Sequence, residues 1–233
     1  VSGLDKAFKL METKNLNDAE LDATLNVLKG YNLEQFTQNG CEKYIFLNSK
    51  DVNELELKNN YPNFYNQLIV YKEKLEKRYQ YNKKIPYWEW VFLRNIKSFQ
   101  SEELKIFIPS KNRISNTDKF KFSIVDKNFF PTQDVSVLQL KNTIKESVYY
   151  TCAFLNHPIV FNWIKHNGII KGNIVEFSAK PLKSIPFRKI DWSNPFEVEC
   201  HDKIERLIKL FLKSENKSYI LDTFTEIDKL IGS

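Results

Sequence analysis

At 233 residues the chain is long enough to bury a real core, as one large domain or two small ones. Hydrophobic residues make up 42% and charged residues 27%, an ordinary balance for a globular protein. No apolar run approaches the roughly 18 to 20 residues of a spanning helix, so no membrane partner is expected. The net charge of +6 is concentrated: Lys72–Lys127 holds 14 Lys/Arg against 7 Asp/Glu, a local +7, as expected where a surface meets a polyanion.

The chain opens on Val1-Ser2-Gly3 without an initiator methionine, which reads as a fragment boundary. Ser2 to Phe8 reads as a small-residue turn entering a short strand. Asn17 or Asp18 caps a predicted helix through Leu28, with Leu21, Leu25 and Leu28 at helical spacing and Gly30 as its terminator. Tyr44 to Leu47 reads as a strand. Asp51-Val52-Asn53-Glu54 starts a helical piece that Tyr61-Pro62 breaks. From Pro62 to Tyr79 the period is helical, with Phe64, Leu68, Tyr71 and Leu75 on one stripe that Arg78 or Tyr79 continues. In an extended Pro86-Tyr87-Trp88-Glu89-Trp90, the two tryptophans share a face and Glu89 points the other way. Such a pair packs in a core or offers flat rings to a base or sugar.

Leu104 to Pro109 reads as a strand, and Ser110-Lys111-Asn112-Arg113 as a basic loop at its end. Phe120 to Val125 alternates as a half-buried strand, and Phe129 to Val135 joins into another. A helix entered near Ile144 follows. Val148 to Phe187 holds most of the expected core: an apolar helix passing His157-Pro158 into a second amphipathic turn that ends near Gly168. A strand from Asn173 to Phe177, a stop at Pro181 and a closing Ile185-Pro186-Phe187 complete it. Asn194-Pro195 opens a helix carrying Ile204, Leu207, Ile208 and Phe211, and a last helix spans 217–231.

Cys41, Cys152 and Cys200 form no C-x-x-C pair, which argues against a disulfide framework or zinc cage and suits a reducing cytoplasm. His157, His166 and His201 stand far from one another and from an evident acid-base partner, so they read as structural or surface residues. None of the six glycines falls in G-x-G, and there is no Pro-Pro. The Gly-rich turn that lets a backbone approach a methyl donor, and the N-P-P-aromatic loop that holds a flipped adenine, are therefore missing. Two stretches imitate the acids and lysine of a nuclease: Glu103-Leu104-Lys105, and Asp134 with Gln139 and Lys141. No well-placed aspartate precedes Glu103, and E-x-K arises often in a chain rich in both residues. Binding remains. Lysines and arginines neutralise phosphates, whereas Arg or Lys to guanine and Asn or Gln to adenine read sequence. The 110–113 loop offers both classes on one turn, where the plain alternative is a hairpin turn. Thr132-Gln133 offers a second polar tip.

Several segments, in order, resemble the C-terminal target-recognition domain of TaqI-like adenine-specific DNA methyltransferases and of related fused restriction-modification enzymes. They are Gly3-Leu4-Asp5-Lys6-Ala7-Phe8; Lys29-Gly30-Tyr31-Asn32-Leu33; the Leu75 to Arg78 helix end; the Tyr87-Trp88-Glu89 aromatics; strand and Asn112-Arg113; Ala153-Phe154-Leu155-Asn156; and Pro181-Leu182 to Ile185-Pro186. The family aromatic after N-R is replaced by Ile114. The resemblance implies an α+β fold, a mixed twisted β-sheet region with flanking helices and a helical C-terminal tail. It implies a DNA target-recognition domain over 1–191 with a helical extension at 192–233 packed on it. It further implies double-stranded DNA and an N-terminal methyltransferase domain as partners. No cofactor is expected in this chain, S-adenosylmethionine being implied for the parent enzyme's N6-adenine methylation. The expected DNA contacts are Arg78, Trp90, Arg94, Lys105, Ser110, Lys111, Asn112, Arg113, Gln133, Lys171 and Lys180. Two other readings stand beside it: a helical module that docks protein subunits, and a magnesium-dependent restriction nuclease.

Overall fold

In the computed structural model, which describes residues 5–47, 52–80, 83–91, 96–115, 117–177 and 179–232, Asn17 caps a helix as the sequence predicts. The Glu20 N–H donates to Asn17 Oδ1 at 2.9 Å, and the Asn17 N–H donates to Glu20 Oε2 at 3.0 Å, a reciprocal capping box. The first described element is a helical turn, α1 (Asp5–Phe8), where a short strand is expected. The capped helix α2 (Asp18–Asp22) then ends well short of Leu28. Thr24–Leu28 is instead strand β1, antiparallel to β2 (Glu42–Ile45). A backbone ladder to a partner about twenty residues away outweighs the weak helical spacing of three leucines. Gly30–Asn32 is a 3-10 turn between the two strands.

Asn53 caps α3 (Glu54–Asn60), and α4 (Pro62–Ile69) starts on the expected proline. The predicted helix over 62–79 is two pieces, because the chain breaks at Val70-Tyr71 before α5 (Lys72–Glu76). The apolar stripe still holds: Phe64, Leu68 and Leu75 are fully buried. After α6 (Ile96–Phe99) come β3 (Lys105–Pro109), β4 (Lys111–Arg113), β5 (Ser123–Val125), β6 (Phe129–Pro131) and β7 (Val135–Leu138). The next helix starts later than Ile144. Ser147 caps α7 (Val148–Asn156), and His157 caps α8 (Pro158–Asn167), which ends at Gly168. β8 (Ile169–Lys171), β9 (Ile174–Glu176), α9 (Ala179–Lys183), α10 (Pro195–Ser214) and α11 (Ser218–Gly232) complete the chain. Three small sheets, ordered β2-β1-β6, β5-β3-β7 and β4-β9-β8, stand among these helices, which makes the fold α+β.

Two compact units share the chain: one drawn from residues 1–27, 41–101 and 128–130, the other from 28–40, 102–127 and 131–233. The division falls inside 1–191, and residues 192–233 belong to the second unit.

In the first unit, Phe8, Tyr44, Leu57, Phe64, Leu68, Tyr87 and Trp88 build the core. Buried Glu20 also serves α4: its carboxylate accepts the Asn63 N–H at 2.7 Å and the Phe64 N–H at 3.4 Å, placing negative charge at the helix N-terminus.

In the second unit, α7 packs on α10 and α11 and also on β3 and β5. Phe120, Phe122, Phe161 and Phe177 form its aromatic centre, with Phe120 and Phe122 stacked and Phe177 edge-on to both. Asn156, the last residue of the A-x-L-N segment, is buried and grips the Phe122 backbone from both sides. Among the described residues, no helix is long and apolar enough to cross a membrane.

Candidate nucleic-acid interface

The predicted basic loop is a strand. β3 is buried along its whole length and stops at Pro109, which has no N–H to continue the ladder. The Ser110 N–H then donates to Asp134 O at 2.7 Å, and the Phe177 N–H donates to Ser110 O at 2.8 Å, so the chain passes from one sheet into another at Ser110. From there Lys111, Asn112 and Arg113 pair antiparallel with Glu176, Val175 and Ile174. On the far side of β9, Ile169, Ile170 and Lys171 face the same three residues. The β8–β9 hairpin turns on Gly172-Asn173, with φ of 60° at Gly172, the left-handed position at the first central residue that a II′ turn requires and glycine fills without strain.

Strand alternation sorts these side chains onto two faces. Val175 is fully buried in the aromatic core, and Asn112 and Ile170 share its side. The opposite side carries Lys111, Arg113 and Lys171 around Ile174 and Glu176. Lys111 and Lys171 reach Glu176 Oε1 at 3.9 Å and 3.1 Å, and Arg113 is exposed and pairs with no carboxylate among the described residues. Three cations from two segments some sixty residues apart in sequence thus share one exposed surface.

The other expected contacts divide. Gln133 is exposed beside this sheet, its carbonyl accepting from Ser110 Oγ at 3.4 Å. Lys180 is exposed on α9, three residues past Phe177. Asn112 is half-buried and turned from the basic face, so as a base reader it is corrected by the period-2 geometry of a strand where a loop is expected.

Lys105 is fully buried, its amine donating to Glu103 O at 2.8 Å; burial holds its pKa below the usual lysine value, against the pull of Glu103 and Asp126. It cannot reach a phosphate from there. Arg78 is buried in the first unit, where its Nη2 donates to Pro86 O at 2.9 Å and Glu89 O at 2.6 Å. Those bonds make it the tie of the aromatic turn. Trp90 follows that turn and lies in no strand. Its Nε1 donates to Ile45 O at 2.8 Å, and its ring packs on Phe8 and Tyr44, so the core reading of the tryptophan pair holds. Arg94 lies outside the described residues.

The nuclease-like stretches are occupied by structural bonds. Asp134 Oδ2 accepts the Gly30 N–H at 2.8 Å and Oδ1 accepts from Thr132 Oγ1, while Glu103 accepts from Gln139 Nε2 at 2.5 Å. Among the described residues, no group of three or more His, Cys, Asp or Glu is placed to hold a metal ion. The Gly30 N–H is taken by Asp134, and the Gly168 N–H donates to Ile164 O at 2.7 Å, so neither amide is open to a ligand.

Two participants escape the sequence reading. β8 was legible in Ile-Ile-Lys-Gly-Asn-Ile-Val-Glu, where two β-branched pairs flank a two-residue Gly-Asn turn. Glu176 carries no motif, and only the strand register brings it between two lysines.

Over its whole length the chain is similar to type II methyltransferases, and its fold is found in a restriction-modification enzyme. In particular, it is 44% identical over 230 residues to the type II methyltransferase M.HindII and 43% identical to M.HincII, both of Haemophilus influenzae. These alignments cover 99% of this chain but only 44% and 45% of the relatives, so the chain spans less than half of either. The type II methyltransferase M.MjaIV of Methanocaldococcus jannaschii is 29% identical, with all of this chain and 76% of that protein aligned. The type IIL restriction-modification enzyme MmeI, solved in complex with DNA, has the same fold over 97% of this chain and 30% of its own, at a TM-score of 0.65 and 12% identity. No protein-family model matches the chain.

Proposed function

We propose that residues 1–233 are the DNA target-recognition part of a restriction-modification N6-adenine methyltransferase, with residues 1–191 gripping the duplex and 192–233 a helical extension. The catalytic domain, which binds S-adenosylmethionine and receives the flipped adenine, belongs to another part of the parent protein. The observation that carries this reading is the exposed face of β4-β9-β8, where Lys111, Arg113 and Lys171 converge on one small sheet with Ser110 and Gln133 at its edge. Cations so placed neutralise successive phosphates, and a neighbouring Gln offers donor and acceptor to a base edge. The similarity to type II methyltransferases and the fold shared with a DNA-complexed enzyme support it.

Duplex titration followed by fluorescence anisotropy at about 50 and about 200 mM salt tests the proposal. Affinity should fall steeply with salt, and Arg113→Ala should reduce the logarithmic salt slope by about 0.9, one phosphate contact. No duplex binding at low salt would overturn it in favour of a module that docks protein subunits.

A further inference from the structure

The basic face contains one acid, and its position is specific. Glu176 stands on the central strand, directly opposite Lys111 and diagonal to Lys171, close enough for both ammonium groups to reach the same oxygen. The carboxylate is the recessed member: its side chain is 23% exposed, against 67% for Lys111 and 71% for Lys171. The lysines lie over it with their heads in solvent. Opposite-charge pairs this exposed add little to stability, so folding alone does not account for an acid at the centre of the face.

The charge matters more than the pairing. A phosphate approaching the two lysines meets a negative group beneath them, which offsets part of their attraction and leaves the face with less counterion release than three cations would give. Resting on the duplex-binding role above, we propose that Glu176 is a built-in counter-charge that lowers the affinity of this face for DNA of arbitrary sequence, so that stable binding depends on base contacts. A recognition domain gains from such a weakening, because sites of the wrong sequence vastly outnumber the right ones and selectivity is the ratio of the two affinities. Arg113, two residues along β4 and paired with no carboxylate among the described residues, keeps the face attractive enough for encounter.

The probe is a short duplex of random sequence, titrated against the full chain and its variants. Glu176→Gln keeps the side chain's size and removes its charge. It should bind the random duplex about three- to tenfold more tightly at about 50 mM salt, with a salt slope steeper by up to about 0.9 and a difference that shrinks as salt rises. In a Lys111→Gln/Lys171→Gln background the same substitution should change affinity less than twofold. An unchanged thermal melt verifies that each variant folds. Equal or weaker binding by Glu176→Gln would overturn the counter-charge and make Glu176 a residue that merely positions the lysines. An undiminished gain in the double-lysine background would overturn it too, because the effect would then not pass through them. If wild type and Glu176→Gln both fail to bind at low salt, the DNA-binding role itself falls, and this inference with it.

Discussion

Asn156 offers a direct test of how the second unit is held together. Its Nδ2 donates to Phe122 O at 2.8 Å and Cys152 O at 3.1 Å, and its Oδ1 accepts the Phe122 N–H at 3.1 Å, all in a buried setting. In Asn156→Ala the Phe122 carbonyl keeps the Phe36 N–H, which donates to it at 2.9 Å, but the Phe122 N–H is left with nothing. An orphaned buried donor costs about 1–3 kcal/mol, and the three missing heavy atoms add roughly 1 kcal/mol. A loss near 3 kcal/mol lowers the melting temperature of a chain this size by about 6–12 °C. Circular dichroism melts read the global loss, and hydrogen exchange at the Phe122 amide reads the local one.

Asn156→Asp sharpens the test. An ionised carboxylate accepts from Phe122 but turns a second acceptor toward two carbonyls. That variant should be at least as unstable at pH 7 and recover part of its stability once acid protonates the carboxyl. Asn162→Ala, on the exposed side of α8, should stay within about 0.5 kcal/mol of wild type. An Asn156→Ala variant as stable as the Asn162→Ala control, with Phe122 exchange unchanged, would refute the clasp.

Gly168→Ala places a Cβ 2.5 Å from Ile164 O and 2.9 Å from Ile164 Cγ2, a backbone collision that requires the end of α8 to move; urea midpoints should report a loss of about 1–3 kcal/mol. His157 sets a pH dependence. Burial holds its imidazole below the ordinary value of 6.5, against the pull of Asp228, and its Nδ1 is already used as acceptor for the Ile159 N–H. The unfolded chain therefore binds the proton first, so this contribution is complete above pH 6.5 and declines as pH falls below it. His157→Asn, which keeps a capping acceptor, should flatten that part of the stability–pH curve; a curve unchanged by the substitution would show the acid loss to arise elsewhere.

Much of this fold was legible because its signals were local. The Asn17, Asn53 and Asn194 caps, the Tyr61-Pro62 break, the His157-Pro158 junction and the apolar β3 are each set by residues within a turn or two. The failures came where distant chain decided. Thr24–Leu28 became a strand because Glu42–Ile45 returned beside it and β6 closed its other edge. Lys111–Arg113, polar enough for a loop, became a strand because the β8–β9 hairpin offered an edge. The candidate surface followed the same division. Lys111, Arg113 and Lys171 were chosen for residue type and came together through that pairing, whereas Arg78 and Lys105 were chosen for charge and were buried. Sequence gives charge, but accessibility is settled by tertiary packing.

Ser110 joins a strand locked in the interior to one whose alternate residues meet solvent, with no spacer between them. The phase of the outer strand is thus dictated by the inner one. Inserting or deleting a single residue at this joint would rotate the whole pattern, sending Asn112 outward and driving Lys111 and Arg113 toward the apolar centre. Such a lineage can explore new surface chemistry here by exchanging side chains in place, while changes in length have to be accommodated in the turns.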